Sequence, residues 1–132
     1  MGATLLDSTV LIDLLRNRPV TTERIRQLLQ SGEDLCTSAV NVEEIVRGVR
    51  GKREQSGVEL LFDGLIVVPI GTEEAVAAGT WRRDHAKRGV TLSQADCLVA
   101  AACRTVDARL ATGNPKDFPI RGVAVDHWPV GR

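Results

Sequence analysis

Short apolar runs alternate with stretches of helical apolar periodicity along all 132 residues, and nothing else in the sequence constrains the fold as strongly. Ala3-Thr4-Leu5-Leu6, closed by Asp7, is too short for a helix and has no polar face, so it reads as a strand covered on both sides. Leu35-Cys36-Thr37, Ile66-Val67-Val68, Arg109-Leu110-Ala111-Thr112 and Val123-Ala124-Val125 repeat that pattern. Between the first two runs a helix is expected from about Thr9 to Arg18-Pro19, carrying Val10, Leu11, Leu14 and Leu15. Thr21 or Thr22 can cap the next, which holds Ile25, Leu28 and Leu29 and ends at Gly32. Further stripes are Val42, Ile45, Val46 and Val49, then Val58, Leu61, Phe62 and Leu65, then a long helix from about Thr72 to Arg88. The clearest stripe is Ala95, Leu98, Val99, Ala102, Cys103 and Val106. Strands of this kind separated by helices imply parallel pairing with right-handed crossovers. The expected fold is α/β, a single-domain three-layer α/β/α sandwich over residues 1–132 around a mostly parallel sheet of about five strands. The strand order is not readable from spacing.

Composition narrows the function classes. Apolar residues at 43% and charged residues at 26% are ordinary globular proportions, which excludes wholesale disorder and a coiled coil. No apolar run approaches the ~20 residues of a membrane span, and Met1-Gly2-Ala3-Thr4 lacks a basic segment ahead of its apolar one. Cys36, Cys97 and Cys103 are odd in number and lack CxxC spacing, which points to a reducing, cytoplasmic setting without a disulfide framework. Lys and Arg number 17 and Asp and Glu 17, so a nucleic-acid partner must be met by local patches or by metal. Two Trp, two Phe and no Tyr leave no material for a base-stacking platform.

In a parallel sheet of this kind, strand C-termini, helix N-termini and their loops share one edge, where ligands bind. Asp7 ends the first strand. Glu44 and Asp96 fall in the first turns of the helices after the second strand and before the fourth, and Asp117 in the loop after the fourth. All four acids map to that edge. Clustered carboxylates raise one another's pKa unless a cation is held between them, and helix N-termini compensate only in part. An oxygen-only set without Cys or His suits Mg²⁺, with Mn²⁺ as a substitute, and the chemistry suggested is metal-assisted phosphodiester hydrolysis. Each acid also has a plainer explanation. Asp7 can cap the first helix, Asn41-Val42-Glu43-Glu44 and Ser93-Gln94-Ala95-Asp96 both resemble capping boxes, and Asn114-Pro115-Lys116-Asp117 resembles an Asx turn.

The contexts of the four acids add what spacing alone does not. Asp7-Ser8-Thr9-Val10-Leu11-Ile12-Asp13 after an opening strand resembles the first motif of the PIN-domain nucleases, specifically the VapC-type toxins of toxin–antitoxin pairs. Glu44-Ile45-Val46-Arg47-Gly48 is similar to their E-[LI]-x-x-G element and selects Glu44 over Glu43. Ser93-Gln94-Ala95-Asp96, leading into a small apolar helix, and Thr112-Gly113-Asn114-Pro115-Lys116-Asp117-Phe118 resemble their remaining motifs, in family order across essentially the whole chain.

That resemblance implies a PIN-like fold and an acidic quartet of Asp7, Glu44, Asp96 and Asp117 around Mg²⁺. Asp7 and Asp96 would be direct ligands, and Glu44 would bind metal or orient the attacking water. The fourth position falls to Asp117, to Asn114, where many relatives carry Asp, or to both. Ser8 and Thr112 would stand behind the carboxylates as hydroxyl donors, while Asp13 is expected to face solvent. The implied activity is Mg²⁺-dependent endoribonuclease, with RNA (often tRNA) as substrate, a cognate VapB-type antitoxin, and a homodimer without membrane attachment. The rival expectations are a catalytically silent PIN-like binding module and, lower, an aspartyl-phosphate enzyme, which would want an acid where Thr9 stands. The basic run Arg47, Arg50, Lys52 and Arg53 is read as a solvated helix-end cluster before an RNA contact. His85 and His127 are too isolated for a zinc site.

Overall fold

The computed structural model describes residues 2–132. Five strands form one sheet: β1 (Ala3–Leu6), β2 (Asp34–Ser38), β3 (Ile66–Val68), β4 (Arg109–Thr112) and β5 (Val125–His127). Every adjacent pair is parallel, in the order β3-β2-β1-β4-β5. Among the described residues the α-helices are α1 (Ser8–Leu15), α2 (Pro19–Gln30), α3 (Ala39–Arg47), α4 (Gly51–Asp63), α5 (Thr72–Ala86) and α6 (Gln94–Thr105).

The side-chain period of two along the strands builds two cores. Leu5, Cys36 and Leu110 face a layer made by α5 and α6, with Ala78, Cys97, Val99 and Cys103. Leu6 and Ala111, each one residue further on, face the opposite layer, with Val10 and Leu11 of α1, Ile45 of α3 and Val58 of α4. The three-layer α/β/α sandwich read from the sequence is the observed fold. All three cysteines are free and buried, and burial pushes the thiols of Cys36 and Cys103 up to about 11 and about 12. Among the described residues, no helix is long and apolar enough to cross a membrane.

Several local expectations change. Helix α2 starts at Pro19 with Arg18 in the cap position, so neither Thr21 nor Thr22 caps it; proline is preset for the first helical turn. The last strand lies two residues later than the apolar run Val123-Ala124-Val125 suggested. Its register is set by pairing with β4, where His127 meets Thr112. Helix α5 does not run back from the ligand edge. It packs antiparallel to α6, with Thr105 donating to Glu74 and Arg82 donating to the Leu92 carbonyl, so its C-terminal end lies beside the start of α6.

Candidate functional site

The sheet reverses its winding between β1 and β4, the place where parallel α/β sheets open a crevice. Asp7 sits there. Its amide donates to the Ala111 carbonyl of β4 at 3.0 Å, which locks the end of β1 against its neighbour. Although Asp7 occupies the cap position of α1, its side chain makes no capping hydrogen bond. The carboxylate turns into the crevice, where Thr112 Oγ1 donates to Oδ2 at 2.7 Å and Asn41 Nδ2 donates to Oδ1 at 3.2 Å. The plain capping explanation therefore fails for this residue.

Glu44 arrives differently from expectation. The cap of α3 is Ser38, not Asn41, so Glu44 lies in the second turn rather than the first. Ser38 ends β2, and its hydroxyl and amide form a reciprocal capping box with Asn41. That box uses the Asn41 carbonyl oxygen and leaves its amide nitrogen to reach across to Asp7 and to Ser8 Oγ at 3.0 Å. Ser8 Oγ in turn donates to Glu44 Oε1 at 2.8 Å. Asn41 thus ties Asp7 to Glu44 through Ser8. The sequence offered Asn41 only as a cap, and its reach to Asp7, 34 residues away, carries no local signal.

Asp96 is half-buried in the first turn of α6, where its amide donates to the Ser93 hydroxyl at 3.0 Å. Asp117 is exposed at the end of a single 3-10 turn, residues 115–117, that follows β4; its amide donates to the Asn114 carbonyl. Asn114 is exposed, and its own amide donates to Thr112 Oγ1 at 3.0 Å. The Thr112 hydroxyl therefore links the Asn114 backbone to the Asp7 carboxylate.

The electrostatics bind these acids together. Burial pushes the Asp7 carboxyl above the usual range and the Glu44 charge adds to it, against the lowering by Thr112, the Ser8 amide and Asn41. Asp96 is also pushed up, by burial first and then by the charges of Asp117 and Asp7, against the lowering by Ser93. Among the described residues, the ion pairs go to Glu23, Glu43, Asp84 and Asp126 and to none of the four acids. No three carboxylate, imidazole or thiol groups among those residues converge into a ready-made ligand cage. The fit to a divalent ion is one of chemistry: mutually repelling, oxygen-only donors without a resident cation. Asp7 and Asp96 are the residues that could hold such an ion, with Glu44 and Asp117 flanking them.

Asp13 departs from expectation. It is buried, not solvated, and accepts hydrogen bonds from Thr21 Oγ1 at 2.8 Å and from the Gly131 amide at 3.0 Å. His85 is structural, its two ring nitrogens lying against the Trp81 and Pro119 carbonyls.

Comparison with known proteins agrees with this architecture. The PIN-domain family model matches residues 4–121. Ribonuclease VapC1 of Haemophilus influenzae is 30% identical over 119 residues, covering 86% of this chain and 88% of that protein. Ribonuclease VapC19 of Mycobacterium tuberculosis is 28% identical over 116 residues, covering 88% and 92%. Among solved structures, VapBC-1 of nontypeable Haemophilus influenzae superposes with a TM-score of 0.82 at 26% identity, covering 96% of this chain and 98% of that one. VapBC2 of Rickettsia felis, bound to a promoter DNA fragment, gives a TM-score of 0.83 at 18% identity, with coverages of 96% and 98%. With the family model spanning most of the sequence, and the fold and the edge of the sheet agreeing with it, this chain belongs to the PIN-domain family, in its VapC branch of ribonucleases.

Proposed function

We propose that this single-domain chain is a Mg²⁺-dependent endoribonuclease, the toxin of a toxin–antitoxin pair, with RNA (tRNA among its candidates) as substrate. One observation carries the reading. Asp7 is buried at the crevice, makes no capping hydrogen bond to its helix, and is pushed up in pKa by burial and by Glu44 with no ion pair to it among the described residues. An arrangement this unfavourable is retained where charge has a task.

Asp7 and Asp96 would hold the divalent ion, which would supply positive charge to the phosphodiester and make water a better nucleophile. The chain's own residues do the rest. Thr112 and Asn41 fix the two Asp7 oxygens, so the carboxylate is preorganised. Ser8 holds Glu44 Oε1, which leaves Oε2 to orient the attacking water and accept its proton. Asp117, with Asn114, closes the pocket on the β4 side. The antitoxin reading is supported by an open groove of about 490 Å³ that begins at Glu44 and is lined by Ile12, Leu15 and Val49, with Arg16, Arg53 and Glu54 beside them, an apolar seat with charged margins of both signs. Similar solved structures include a toxin–antitoxin complex from Klebsiella pneumoniae and a VapBC-family toxin–antitoxin system from Mycobacterium tuberculosis. The homodimer is proposed on the family's pattern, and the cytoplasmic setting on the three free, buried cysteines.

The second reading, a silent PIN-like binding module, is favoured by the lack of a convergent ligand cage among the described residues. Thermal shift and RNA cleavage separate the two. Millimolar Mn²⁺ should raise Tm in line with RT ln(1 + [L]/Kd), and RNA should be cut only with metal present. Asp7→Asn should lower cleavage by at least ~10³-fold and abolish the Mn²⁺ shift with the circular dichroism spectrum unchanged. A parent protein whose Tm ignores Mg²⁺ and Mn²⁺ and which leaves RNA intact is the silent module.

A further inference from the structure

A buried carboxylate with no part in the proposed chemistry needs a reason, and Asp13 is one. It is 4% exposed, within the half of α1 that faces the interior. A leucine there would bury as well. What a leucine could not do is accept a backbone hydrogen bond, and the Gly131 amide lies 3.0 Å from both Asp13 oxygens, across 118 residues of sequence. Thr21 Oγ1 donates to Oδ2 as well, and the Val20 amide donates to the Arg132 carbonyl at 3.3 Å. Residues 128–132 are therefore tied down at the α1–α2 junction.

The other end of that segment is tied at the crevice. The Trp128 amide donates to the Thr112 carbonyl at 2.8 Å, its indole is 3% exposed, and the Arg24 guanidinium lies 4.3 Å from the ring centroid. Between the two anchors Val130 sits directly on Gly113. A Cβ at position 113 would lie 2.8 Å from Val130 Cγ2, 3.0 Å from Cγ1 and 3.3 Å from Thr9 Oγ1. Thr9 Oγ1 itself accepts from the Gly113 amide at 2.9 Å. Gly113 is the residue between Thr112, whose hydroxyl holds Asp7, and Asn114, whose amide holds that hydroxyl.

We infer that Asp13 and residues 128–132 form a strap that positions Gly113 and, through the Thr112 hydroxyl, the Asp7 carboxylate, making Asp13, Val130 and Gly113 positioning residues for the site. This rests on the reading of Asp7 under Proposed function. The strap presses the loop after β4 against α1, so that the Asn114 amide holds the Thr112 hydroxyl and that hydroxyl presents a fixed donor to Asp7. Supporting groups behind metal-binding carboxylates govern affinity by about 10–100-fold.

The test uses the clash. Gly113→Ala puts a methyl where Val130 now rests, and Val130→Ala removes the obstruction. Gly113→Ala should keep its circular dichroism spectrum and bind Mn²⁺ at least ~10-fold more weakly by titration, while Gly113→Ala with Val130→Ala should recover to within about threefold of the parent. Titrated at a temperature where chemical denaturation shows every variant fully folded, a general loss of stability, which the second substitution would also relieve, leaves the Mn²⁺ affinity unmoved. The strap is overturned if Gly113→Ala binds Mn²⁺ like the parent, or if the double variant stays as weak as the single one. Should the parent bind no Mn²⁺ and cut no RNA, the proposed function fails by itself and amide exchange decides the strap. Deleting residues 129–132 should then speed exchange of the Gly113 and Asn114 amides, and unchanged protection would overturn it.

Discussion

Helix α1 is bracketed by two buried aspartates of similar exposure, Asp7 at 8% and Asp13 at 4%, and the two do opposite work. Asp13 is saturated by a hydroxyl and a backbone amide. Asp7 accepts a comparable set of donors from Thr112 and Asn41, yet it also faces the charges of Glu44 and Asp96. Burial therefore does not tell a structural carboxylate from a functional one. The charges left uncompensated around it do.

If that distinction is right, the two ends of α1 should respond to substitution in different measurements. Asp7→Asn costs activity. Asp13→Ala costs stability, because it strands the Gly131 amide and the Thr21 hydroxyl in the interior; the expected loss is about 3 kcal/mol, or ~10 °C in Tm. Chemical denaturation should report that loss in the absence of metal. An Asp13→Ala protein as stable as the parent would place Asp13 outside the framework.

Asn41 belongs to both categories, and its replacement sharpens the comparison. Asn41→Ala removes the capping partner of Ser38 together with the donor to Asp7 and Ser8. A lost cap costs about 1 kcal/mol, so a Tm drop of ~3–5 °C is expected. Mn²⁺ affinity should fall as well, because Asp7 and Glu44 lose their common tie. Loss of Tm with Mn²⁺ affinity intact would make Asn41 a cap alone, as its sequence context suggested.

The sequence carried the layers, the five strands and the edge positions of Asp7 and Asp96 because these follow from local period: two along strands, near 3.6 along helices. What it did not carry was settled by distant partners. Asp13 lies next to the apolar stripe of α1 and becomes interior only when Gly131 folds onto it. Glu44 was placed one turn early because Asn41-Val42-Glu43-Glu44 mimics a capping box, while the strand-ending Ser38 takes the cap. The shift of β5 reflects registration against β4 and burial of Trp128, neither of which is a property of Val123-Ala124-Val125. The direction of α5 depends on Glu74 meeting Thr105, a pairing that no local pattern encodes.

The smallest expected effect is also the most direct reading of crowded charge. Asp96 is pushed above the usual carboxylate range by burial, by Asp117 and by Asp7. A raised folded-state pKa means that the folded protein holds the proton more tightly than the unfolded chain. Its stabilising contribution is therefore present below the unfolded value of about 3.9 and lost as pH rises through the folded value. Other carboxylates, Asp126 and Glu74 among them, are held low and trend the opposite way, so the parent's own pH profile mixes signs. The difference between Asp96→Asn and the parent cancels those common contributions. Measured in a chelator, that difference in Tm should be close to zero near pH 3.5 and become positive by about 1–3 °C by pH 6–7, as the variant escapes the burial of a charge and its repulsion by Asp117 and Asp7. Saturating Mn²⁺ should reverse its sign at the higher pH, because only the parent then gains from the ion. A difference that stays flat with pH in the chelator would mean that Asp96 feels neither burial nor the charges of Asp117 and Asp7, and the cluster at the crevice would reduce to separate surface acids.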